Sequence, residues 1–157
     1  MTLLRVVSLV CLSLWFGGLV TLFLSVSAVF AAFADRATAG TAAAAMFARF
    51  EVFQMVVGGL LAASSIAVWA ITRSKLRLIF LCCVILAGVL AVVSHFGVSA
   101  RLQAMREARE TQSQEFKRLH GVSMMVYVSQ TGLLGIGAVV VAVASGQRTR
   151  KAANHKG

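Results

Sequence analysis

Apolar residues along the chain gather into four long runs, broken only by short polar gaps. The runs cover about 3–33, 41–72, 78–110 and 115–145, the third being apolar to Ala100 and then mixed in charge. Each holds more than the roughly 18 apolar residues that mark a spanning helix. The pattern predicts an all-α fold: an integral membrane four-helix bundle, up-down-up-down, with the third helix projecting beyond the bilayer. Residues 1–146 would form one four-span membrane domain and residues 147–157 a basic, disordered tail.

The gaps refine this reading. The first run opens like a signal peptide, with Arg5, an apolar stretch and small residues at Ser25, Ser27 and Ala28. A signal core spans only about 7–15 residues, so a run of this length is expected to stay as a helix. Asp35 to Gly40 is expected to turn, with Asp35 as a local cap. Arg73 to Arg77 forms a tight basic connector, Arg101 to Glu110 continues the third helix with an Arg106–Glu110 pair at helical spacing, and Thr111 to Gln114 turns back.

Composition agrees with a membrane class. Apolar residues make up 59% and charged ones 13%, where a soluble domain carries about a quarter charged. Proline is absent, which leaves the runs free to remain helical and weighs against the broken helices of many transporters. The net charge of +10 sits in the gaps and at the chain ends, without interleaved aromatic residues. That distribution excludes a nucleic-acid surface and points to topology and anionic lipid instead. Lys and Arg are nearly balanced between the two sides, eight against seven. The short connector that packs Arg73, Lys75 and Arg77 against the membrane, the other side's charge riding on the projecting third helix, and all five acids lying on that other side favour both termini in the cytoplasm, in a bacterial inner membrane. Cys11, Cys82 and Cys83 read as reduced small hydrophobes buried in the lipid region.

Small residues are expected to bring the helices together. They recur at Cys11, Gly18, Thr21, Ser25, Ala28 and Ala32 in the first run, and at Gly58, Gly59, Ala62, Ala63 and Ser65 in the second. Gly88 and Ala91 in the third, and Gly132, Gly135 and Gly137 in the fourth, continue the theme. The same faces would allow a homo-oligomer. Trp15 is expected to pack inside, and Trp69 to sit at the interface near Arg73.

Polar residues inside the spans carry the candidate chemistry. The fourth run places His120, Ser123, Tyr127 and Gln130 on one face; the second offers Glu51 and Gln54, and the third His95 and Ser99. With alternating helices, Glu51, His95 and His120 reach the same, non-cytoplasmic end. These eight residues define a candidate outward-facing polar pocket for a small ligand or ion. One alternative is structural: the groups bond across the bundle in an interaction subunit of a membrane complex. A second is metal or haem handling, or a small transporter, since two His and a Glu can ligate metal and two His can hold haem. No nucleophile–base motif, phosphate loop or dinucleotide fingerprint is present. No catalytic residue, metal site or cofactor is therefore expected, and the chain is read as a non-enzyme.

Three stretches resemble the transmembrane protein 205-like family, in bacteria a domain of unknown function (4149). They are Trp15-Phe16-Gly17-Gly18, the Asp35-Arg36, Ala39-Gly40 and Phe47 stretch, and Phe116-Lys117-Arg118-Leu119-His120-Gly121-Val122-Ser123. The resemblance implies four spans in this order over nearly the whole chain. It implies a small multi-pass membrane protein of unestablished activity and supplies no catalytic residues to carry over. Copper-resistance and haem-binding four-helix membrane proteins open similarly but place a histidine early in the first helix, where this chain has none.

Overall fold

A computed structural model describes residues 2–154. Its order is α1 (Thr2–Ala32), α2 (Arg36–Thr72), α3 (Lys75–Val93), a π-helical turn (Ser94–Ser99), α4 (Ala100–Glu107) and α5 (Gln114–Asn154). No strand occurs among the described residues. Through the π turn, α3 and α4 form one continuous span, so four helices are long and apolar enough to cross a membrane. The shortest of these spans has 31 residues, about 46 Å at 1.5 Å per residue, against roughly 30 Å of hydrocarbon. Every span therefore exceeds the apolar slab. α1 packs on α2, α2 on α3 and α3 on α5, with a lighter contact of α5 on α1.

Helix ends follow local capping. α2 begins at Arg36, ahead of the expected start near 41, because Asp35 accepts from the backbone N–H of Ala37 at 3.1 Å and of Thr38 at 2.9 Å. Gly40 thus lies inside the helix instead of in a turn. At the other end Arg73 adopts φ 48° and its N–H donates to the Trp69 carbonyl at 2.7 Å. Only Arg73 and Ser74 separate α2 from α3, and the Arg73 guanidinium lies 5.0 Å from the Trp69 ring, a pairing suited to the membrane interface. α4 stops at Glu107 and leaves Glu110 outside the helix, so the Arg106–Glu110 pair does not form. Arg106 lies over the Phe116 ring and Arg101 pairs with Glu115. The helical backbone of α5 continues to Asn154, past the expected end near 145. The stretch assigned to a disordered tail has good helix formers and no proline to stop it; residues 155–157 of that tail lie outside the described residues.

The core is made by large side chains seated against small ones. Leu12, Trp15, Leu19 and Leu22 of α1 meet Val57 and Leu61 of α2, Phe80, Val84 and Ala87 of α3, and Tyr127, Leu134 and Val141 of α5. A Cβ at Gly58 would stand 3.0 Å from the Trp15 ring, one at Gly18 2.8 Å from Phe50, and one at Gly137 3.2 Å from Phe80. These glycines act as sockets for rings. The continuous small-residue face expected on α1 does not form the internal seam: Thr21, Ala28 and Ala32 are exposed, as are Gly59, Ala63 and Gly132. Helical spacing alone did not distinguish a seam of small residues from sockets that receive aromatic rings.

Candidate functional site

Glu51 lies on the buried face of α2 at 3% exposure. A lone carboxylate buried in a membrane protein is costly, and here donors from two other spans surround it. Tyr127 of α5 donates its hydroxyl to Oε1 at 2.9 Å. Ser99, the last residue of the π turn, donates to the same oxygen. His95 Nδ1 lies 2.8 Å from Oε2, where an ionised carboxylate accepts from the tautomer that carries its proton on Nδ1. Phe47 packs against the Tyr127 ring, with centroids 5.0 Å apart.

The π turn positions the third span. His95 and Ser99 both lie in it, four residues apart, and both reach one carboxylate. A π turn shifts the backbone ladder to i→i+5, is rare, and concentrates at functional sites. The His95 side chain is 34% exposed and the Glu51 side chain 4%. The imidazole is therefore the accessible side of a buried acid.

One helical turn deeper, three of the four spans contribute a second polar layer. Gln54 follows Glu51 by three residues on α2 and Gln130 follows Tyr127 by three on α5, while Ser94 opens the π turn just before His95. All three are fully buried. Trp15 Nε1 donates to Gln54 Oε1 at 3.3 Å. Gln54 Nε2, Ser94 Oγ and both side-chain polar atoms of Gln130 find no hydrogen-bond partner among the described residues.

Of the eight residues expected in the pocket, Glu51, His95, Ser99 and Tyr127 form one network, and Gln54 and Gln130 lie directly beneath it. Ser123 is half-buried and does not join. His120 shares the end of the molecule but not the site: it is exposed and stacks on Phe116, with centroids 6.3 Å apart. It sits two turns beyond Tyr127 toward the start of α5, so a shared helix face did not bring it under a neighbouring span. The two histidines therefore do not converge, and no group of three His, Cys, Asp or Glu is placed to hold a metal ion among the described residues. Sequence reasoning missed Ser94 and the role of Trp15. The adjacency of Ser94 to His95 was the available signal for the first, and the alignment of Trp15 with Gly58 for the second.

Residues 10–111 match the family described as domain of unknown function DUF4149. The chain belongs to this family. It is a multi-pass membrane protein of the DUF4149 class. The matched region contains Glu51, Gln54, His95 and Ser99 and ends before α5, so Tyr127 and Gln130 reach the site from outside it. No curated protein and no solved structure matches the DUF4149 chain.

Proposed function

We propose that this DUF4149 protein binds a small polar ligand or ion at the end of the membrane helices that carries the α1–α2 and α4–α5 turns. Glu51, His95, Ser99 and Tyr127 form the head of the site, and Gln54, Ser94 and Gln130 its floor. The observation that carries this reading is the set of four buried polar atoms on Gln54, Ser94 and Gln130 without partners among the described residues. Within hydrocarbon each such group costs several kcal/mol, about as much as a lost hydrogen bond in an apolar medium. Such a layer, next to an acid that opens outward through His95, suits a ligand that supplies the missing partners. The protein acts as a binder and not as an enzyme. Both termini face the cytoplasm of a bacterial inner membrane, on the strength of the basic Arg73–Arg77 connector, so the site opens to the opposite side.

A structural role in a membrane complex is the second reading. It is favoured by the fact that Glu51 already accepts from three donors. Native mass spectrometry of the full chain extracted from membranes separates the two. Binding predicts a small-molecule or ion mass on the wild type that is missing from Gln130→Leu while the fold is kept. A wild type without any such mass, and a Gln130→Leu variant at least as stable, would favour the structural reading and overturn the binding one.

A further inference from the structure

A groove of about 820 Å³ runs along the outward side of α1 and α2, far from the Glu51 network in facing if not in depth. Gly17, Gly18 and Thr21 of α1 and Arg49, Phe50 and Phe53 of α2 line it. Its volume falls within the roughly 300–1,000 Å³ of small-molecule sites. Arg49 and Glu51 are two residues apart, so they leave the helix on nearly opposite sides. Glu51 turns inward, whereas Arg49 is exposed and has no ion-pair partner among the described residues.

Depth identifies the occupant. Residues 52–71 of α2 hold no Asp, Glu, Lys or Arg over 20 residues, which matches the roughly 30 Å of hydrocarbon. Arg49 therefore lies just past the edge of the apolar slab, at the level of the headgroups; Leu14, Gly17, Gly18, Phe50 and Phe53 line the part of the groove on its hydrocarbon side, while Ala45 and Met46 continue the groove outward. We infer that the groove holds an acyl chain of an anionic phospholipid whose phosphate pairs with Arg49. A second copy of the chain fits less well. Two parallel copies related by an axis along the membrane normal would bring their Arg49 side chains to one level, with no free carboxylate there to separate them.

Native mass spectrometry of the delipidated full chain, titrated with phosphatidylglycerol or phosphatidylcholine, tests the assignment. Wild type is expected to prefer phosphatidylglycerol, and Arg49→Gln to weaken it roughly fivefold, the equivalent of one cation at a membrane surface. Thr21→Phe fills the groove from an exposed position and is expected to abolish retention of both lipids while Arg49 remains. Equal retention by all three proteins overturns the inference. Loss in Arg49→Gln without loss in Thr21→Phe also overturns it, since the phosphate would then bind without the groove. A dimer that Thr21→Phe dissociates assigns the groove to a second copy and overturns the lipid.

Discussion

Replacing Glu51 with Ala removes the acceptor for three donors at once, and the structure sets the size of the effect. Tyr127 is 1% exposed and would keep a buried hydroxyl with no acceptor; Ser99 and the half-exposed His95 would lose theirs too. Hydrogen bonds between membrane helices average about 0.6 kcal/mol in double-mutant cycles and reach about 1.7, so three amount to roughly 2–5 kcal/mol. The stranded Tyr127 hydroxyl places the loss in the upper half of that range, because an orphaned buried donor costs about 1–3 kcal/mol by itself. Tyr127→Phe removes one bond and strands nothing, and should cost about 0.6–1.7 kcal/mol. Reversible unfolding in mixed dodecylmaltoside–SDS micelles, followed by fluorescence of the buried Trp15, measures both. In the double mutant the losses should fall short of additivity, since the second change removes a bond already gone. A Glu51→Ala variant within about 0.5 kcal/mol of wild type, or a strictly additive double mutant, would refute the network as an energetic unit.

The glycine sockets predict an asymmetry: Gly58→Ala should destabilise by about 1–3 kcal/mol by pushing the Trp15 ring off Gln54, whereas a Cβ at Gly59 meets nothing within 4 Å, so Gly59→Ala should not lower the same unfolding midpoint. Asp35 caps the first turn of α2, and the Thr38 hydroxyl, followed by the backbone N–H groups of Thr38 and Ala37, holds its carboxyl below the usual carboxylate range. With the folded value depressed, the cap contributes at pH above that ordinary range and is lost as pH falls through the folded value. Amide exchange at Ala37 and Thr38, corrected for its intrinsic pH dependence, should lose protection over that acidic window in wild type. Asp35→Asn should show no such pH step.

The four spans were legible because hydrocarbon thickness imposes a length that few sequences meet by chance. Their ends were less so. α2 starts at Arg36 because Asp35 caps it, while a glycine at position 40 suggested a turn. The apolar pattern ends near 145, where a basic tail begins, yet arginine, lysine and alanine propagate a helix well and α5 continues to Asn154. Within the site, Glu51, His95, Ser99 and Tyr127 were legible from depth and facing together. His120 met the same two criteria and failed the third, a neighbouring span to cover it. The π turn left no trace in the sequence: 94–99 carries no proline and only Gly97 as a weak breaker. The two-residue offset between the outward Arg49 and the inward Glu51 was readable in principle, yet its meaning needed the groove that α1 completes.

The central claim is that the polar floor beneath Glu51 meets a bound partner. An experimental density map of the full chain in a lipid nanodisc, fine enough to place ordered waters, tests it most directly. The account predicts ligand, ion or ligand-bound water density within hydrogen-bond distance of Gln54 Nε2, Ser94 Oγ and the Gln130 carboxamide. Side chains of Gln54, Ser94 and Gln130 turned to bond one another, with no density between them, would contradict it.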